Sequence, residues 1–181
     1  MTHPPSLRLF GCLFAIWLLL LACTQPVRLS PSTIGFHQIR LLDPHNADVD
    51  FHELRGKTVL LDIFASHCMP CQYFAKRWDL LARQHSTKGL RVVGIALDNQ
   101  AKQILVPFLQ ALEIRYPVVL ADETIIQGRT ILGPVLTVPR QYILDGCGKI
   151  HHVFQGMIPP KQVEDAVLAL LKQPPVCSPN K

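Results

Sequence analysis

The sequence predicts an α/β domain with a mixed central sheet flanked by helices, and three observations carry that prediction. Apolar runs of strand length alternate with segments whose apolar residues recur at helical spacing, as in strands connected through crossover helices. Residues 58–64 are apolar almost without a break, the mark of a strand covered on both faces. That run stops just before Cys68 and Cys71, with an amphipathic, helix-forming segment directly behind them. A strand delivering a dithiol to a helix start is the feature around which the rest of the chain is arranged.

A chain of 181 residues with 49% hydrophobic content holds one ordinary domain with a proper core once a leader is subtracted. The formal charge of +5 is mild, and the Lys and Arg residues are scattered. With no basic run and no basic-aromatic stripe, nucleic acid is set aside as a partner.

Residues 1–22 read as an export signal: Arg8 gives a weakly positive start, the apolar stretch 9–21 is short for a bilayer span, and small Ala22 precedes a cysteine. Leu20-Leu21-Ala22-Cys23 resembles a bacterial lipobox, which implies that Cys23 is the lipidated first residue of the mature protein and anchors it to a lipid bilayer. Thr24 in the next position resembles lipoproteins sent to the outer membrane. An uncleaved anchor helix is the alternative, and either way the domain faces an oxidising compartment. Residues 23–34 are then the lipidated cysteine and a polar tether, rich in Pro, Ser and Thr without hydrophobic period.

The domain is expected over 35–172. Residues 36–42 read as a strand, 43–50 as a polar turn and 49–54 as a return stretch, together an N-terminal hairpin extension. After the central strand, Tyr73, Phe74, Trp78, Leu80 and Leu81 mark residues 69–85 as an amphipathic helix. Residues 90–97 form a second Val-rich strand. Residues 101–112 read as helical with a kink or break at Pro107, 116–120 as a short strand and 123–130 as a short helix. Residues 141–144 and 149–154 flank Asp145-Gly146-Cys147-Gly148, a strong hairpin turn. Residues 161–172 are a last amphipathic helix, and the tail 173–181, with three Pro, is expected to be loose.

The dithiol spacing has chemical content. On a helix, positions i and i+3 share a face, so Cys68 and Cys71 can be bridged without distorting the backbone. The free amides and positive dipole end of the first turn favour a thiolate at Cys68. Pro70 fits because a first-turn N–H has no helical partner to lose. Asp62 sits in a strand with no other place for charge. Buried, such a carboxyl titrates high and can trade a proton with Cys71; at the strand margin it would merely reach water.

These landmarks, with Thr137-Val138-Pro139 before a strand and Gly156 after the hairpin, resemble the thioredoxin fold. More narrowly, Gly56-Lys57, the Ala65-Ser66-x-Cys-x-Pro-Cys block, Val93 to Asp98 and Asp145-Gly146-x-Gly148-Lys149-Ile150 resemble the membrane-tethered periplasmic thiol-disulfide oxidoreductases of the TlpA/ResA/CcmG type. The resemblance implies that Cys68 is the nucleophile and Cys71 the resolving thiol. It also implies a cis peptide bond at Pro139, with Val138 offering its backbone to an extended substrate. Asp62 matches the buried acid of thioredoxin, where TlpA-like proteins more often carry an amide. His67 stands where the family usually has Trp; it either stabilises the Cys68 thiolate and meets substrate or is a plain surface residue. Arg140 replaces a small polar residue usual after the proline.

No cofactor is implied. The expected partners are exported cysteine-containing proteins and a membrane redox donor or acceptor. With no His between the cysteines, Met69-Pro70 leans toward a reductant over an oxidase or isomerase. A zinc or copper module using the same cysteines is the reading from another class, with His67, Cys147, His151 and His152 as further ligands, although no second Cys-x-x-Cys or His-x3-His clamp exists. The Pro-x3-Thr-x2-Cys pattern of peroxiredoxins is absent before Cys68. Cys147 and Cys177 are an even pair left over, which in an exported protein fits a second disulfide as well as two free thiols.

Overall fold

The computed structural model describes residues 33–98 and 100–173. The predicted leader, Cys23, most of the tether and Cys177 in the tail lie outside the described residues.

Strand β3 (Thr58–Phe64) is the centre of a five-stranded sheet ordered β5-β4-β3-β6-β7. Strands β4 (Leu90–Ala96) and β5 (Val118–Leu120) run parallel to it on one side. On the other side lie antiparallel β6 (Arg140–Leu144) and β7 (Ile150–Gln155), joined by the predicted hairpin turn. Every residue of β3 after Thr58 is buried, as its unbroken apolar run requires.

Period-2 alternation divides β3 between two cores. Leu60 and Phe64 face the cluster built by helix α1 (Met69–His85), the short helix α2 (Val106–Ala111) and helix α4 (Pro160–Leu171). Cys71, Phe74, Trp78 and Leu81 supply the α1 stripe, and Val163, Val167 and Leu170 that of α4. Arg77 and Glu164 join the outer faces of these two helices as a bidentate ion pair. Val59, Leu61 and Ile63 face the opposite core, which the N-terminal segment closes with Phe36, Ile39, Leu41 and Phe51, helped by Ile125 of the one-turn helix α3 (Glu123–Ile126).

The N-terminal extension departs from the reading of 36–42 as one strand. Only β1 (Arg40–Leu42) pairs, with β2 (Asp48–Asp50). Residues Phe36–Gln38 and Phe51–Leu54 form single 3-10 turns instead. The Asp50 carboxylate caps the second turn, accepting from His52 N–H at 2.9 Å. Both turns set their aromatic residue into the core, with the Phe36 and Phe51 rings 5.3 Å apart. Residues 101–112 are likewise two pieces, a π turn over Ala101–Leu105 and then α2, with Pro107 in the first turn of α2, where its missing N–H costs no helical bond.

Gly146, in the β6–β7 turn, is required by a close approach. Its carbonyl accepts from Gly56 N–H at 2.9 Å, and a Cβ there would stand 2.6 Å from Gly56 Cα. This contact fastens the hairpin to the lead-in of β3.

Candidate active site

The end of β3 delivers the dithiol. After Phe64 the chain turns through Ala65, Ser66 and His67, and Cys68 N–H closes the turn on Ala65 C=O at 3.1 Å. The turn is held from the end of β4: Ser66 N–H donates to the Asp98 carboxylate at 3.0 Å, Ser66 Oγ donates to the same group, and Gln72 Nε2 donates to Ser66 C=O at 3.1 Å. Asp98 therefore anchors the approach to the cysteines, a role that its position just after a strand did not reveal.

Cys68 is the N-cap of α1, its Sγ accepting from Cys71 N–H at 3.3 Å. Sulfur thus takes the place of the usual capping oxygen, where the unpaired amides of the first turn favour negative charge. Cys68 and Cys71 are joined as a disulfide with Cα atoms 5.2 Å apart. The pair is unequal: Cys68 is partly exposed, whereas Cys71 is wholly buried in the core. His67 and Met69, on either side of Cys68, are exposed.

The Val138–Pro139 bond is cis. Arg140 pairs with Ile63 in the antiparallel β3–β6 ladder, so Pro139 falls at the end of β3 from which the cysteines depart. Val138 packs against the same core as Cys68. Gly156 N–H fixes the Pro139 carbonyl at 2.9 Å. Arg140 itself lies over the Tyr142 ring and donates to Pro134 C=O at 2.9 Å, bracing the preceding loop.

Asp62 is fully buried, on the α1-facing side of β3 with Leu60 and Phe64. Its register partner Gln141, equally buried, donates from Nε2 to Asp62 Oδ1 at 2.8 Å. Asp62 Oδ2 has no hydrogen-bond partner among the described residues. Burial pushes the carboxyl up to about 7, against the lowering effects of Gln141 and the Trp78 indole. The sequence reading found Asp62 but missed Gln141; the signal available was a lone amide at the head of the apolar run 142–144.

Among the described residues, no three His, Cys, Asp or Glu side chains are grouped to hold a metal ion. His151 instead pairs with Asp145 at 2.8 Å. Cys147 is disulfide-bonded.

A bridged cysteine pair at a helix cap, with a cis-proline at the head of the neighbouring strand, serves dithiol-disulfide exchange. The protein is of that class, a thiol-disulfide oxidoreductase on a thioredoxin fold. The Redoxin family model matches residues 31–170, and the chain belongs to that family. A thiol-disulfide oxidoreductase, ResA of Bacillus cereus, is 27% identical over 123 residues, 67% of this chain and 68% of its own length. The thiol:disulfide interchange protein DsbE of Pasteurella multocida is 29% identical over 102 residues, 56% of this chain and 52% of its own. The solved structure of a thioredoxin-family thiol:disulfide interchange protein from Chlorobium tepidum TLS superposes with a TM-score of 0.66 at 20% identity, covering 77% of this chain and 97% of that one. StoA of Bacillus subtilis shares the fold with a TM-score of 0.57 at 19% identity, over 70% of this chain and 93% of its own.

Proposed function

We propose that the chain is a lipid-anchored oxidoreductase of the bacterial cell envelope, facing the periplasm and reducing disulfides of exported cysteine-containing proteins. The observation that carries this reading is the inequality of the pair: an accessible Cys68 at the helix cap and a buried Cys71 on the face of the sheet that holds Asp62.

In the reduced enzyme the Cys68 thiolate attacks one sulfur of the client disulfide. A Cys68–client bond forms, and the other client sulfur leaves as a thiolate. The Asp62 carboxylate takes the proton of the Cys71 thiol. The resulting thiolate attacks Cys68 Sγ, forming the Cys68–Cys71 disulfide and expelling the second client thiolate. Two electrons pass to the client, and a membrane redox donor must return them. Val138 and Pro139 hold the client backbone during this exchange, and exposed His67 is placed to meet the client beside Cys68. Cys23, as the lipidated first residue, ties residues 35–172 to the bilayer through the tether, with Thr24 favouring the outer membrane.

The direction rests on the sequence between the cysteines, where Met69-Pro70 carries no histidine to stabilise the reduced thiolate. Equilibration of the full chain against glutathione redox buffers tests it. The expected potential is near the thioredoxin value of about −270 mV; one near the DsbA value of about −120 mV would make the protein an oxidant.

A further inference from the structure

Gln141 is the fully buried polar partner across the ladder from Asp62, and the mechanism above leaves it without a task. An apolar residue would fill the same place without bringing an amide into the core. The groups around Asp62 narrow what this amide does. On β4 the register partner is Gly94, which carries no side chain; a Cβ there would stand 3.1 Å from the Tyr116 ring. Helix α1 offers Cys71 and Trp78, and further along Asp79, whose carboxylate is taken by Arg115 N–H at 2.8 Å and Arg83 Nε at 3.0 Å. Tyr116, buried before β5, is held neutral by burial and then by the charges of Asp62 and Asp79. The buried residues of α4, Val163, Val167 and Leu170, are apolar. Two neutral groups act on the carboxyl: Gln141, which donates to Oδ1 at 2.8 Å, and more weakly the Trp78 indole, whose buried Nε1 makes no hydrogen bond among the described residues.

We propose that Gln141 is the positioning residue for Asp62, donating its N–H to the carboxylate and, turned over, offering Oε1 to the protonated acid. Gln141 Oε1 is itself buried without a partner while Nε2 donates, so each arrangement pairs one end of the amide with the carboxyl and leaves the other end unpaired. A neutral amide can serve both protonation states because it holds a donor and an acceptor side by side. A lysine would serve only the anion, and a second carboxylate would oppose it. The inference rests on Asp62 as the proton partner of Cys71, and it explains how that carboxyl changes charge inside a packed core without moving the backbone.

The test follows the Asp62 carboxyl and the Gln141 side-chain amide by NMR in the oxidised full chain, independently of turnover. In the wild type, both signals should move with one midpoint; a Gln141 amide that stays flat while Asp62 titrates would overturn the proposal. In Gln141→Met, loss of the donor to the anion should raise the Asp62 midpoint by about one pH unit, a tenfold rise in proton affinity. The pH profile of dithiol exchange should move with it. An unmoved Asp62 midpoint in a folded Gln141→Met would also sink the assignment. A carboxyl midpoint that moves while the exchange profile does not would support Gln141 as its partner and remove Asp62 from the chemistry.

Discussion

Asp62 shows at the scale of one residue how a site can work against the fold that carries it. Its carboxyl titrates at about 7 in the folded protein against 3.8 for the free group. Between these values the native state holds a proton that the unfolded chain has released, so stability falls as pH rises through this window. Below the lower value both states are protonated and the penalty vanishes. Above the upper one it is complete, on the order of 4 kcal/mol as a ceiling. Asp62→Asn should therefore be more stable than the wild type at pH 8, with the advantage shrinking toward pH 4. Urea unfolding of both proteins at the two pH values measures this, and an advantage independent of pH would show that the carboxyl is not buried as charge. Asp62 was legible in the sequence because a lone acid stood in an apolar run. Gln141 was not, because its meaning depends on the register between two strands 79 positions apart in the chain.

At the scale of elements, β3 and α1 were readable to the residue. Continuous burial leaves β3 apolar apart from Thr58 and the lone Asp62, and Cys68-x-Pro70 marks a helix start through local backbone chemistry. The N-terminal turns were less readable, since Phe36 and Phe51 suit a strand as well as a turn, and it is the second core that pulls them inward. The Gly146–Gly56 contact was equally silent: a turn motif announces the hairpin but not what it docks against. Gly146→Ala should cost about 1–3 kcal/mol, because its Cβ would press on backbone that cannot yield as a side chain would. A denaturant midpoint unchanged from the wild type would show that this docking contributes nothing.

At the scale of the whole molecule, the disulfide and the cis-proline lie at one end of the sheet. The cysteine pair follows β3 there, the cis-proline enters β6 there, and the buried acid lies two residues before the end of β3, so under the proposed function a client held along the loop before β6 would meet Cys68, the partly exposed member of the pair. The division of labour between Cys68 and Cys71 is central to this chemistry, and trapping tests it most directly. The full chain carrying Cys71→Ser, expressed in the bacterial envelope, should accumulate mixed disulfides with exported cysteine-containing proteins through Cys68. These adducts should follow the membrane fraction if Cys23 is the anchor, and Cys68→Ser should yield none. Adducts that form equally through Cys71 in Cys68→Ser, or that fail to form in Cys71→Ser, would contradict it.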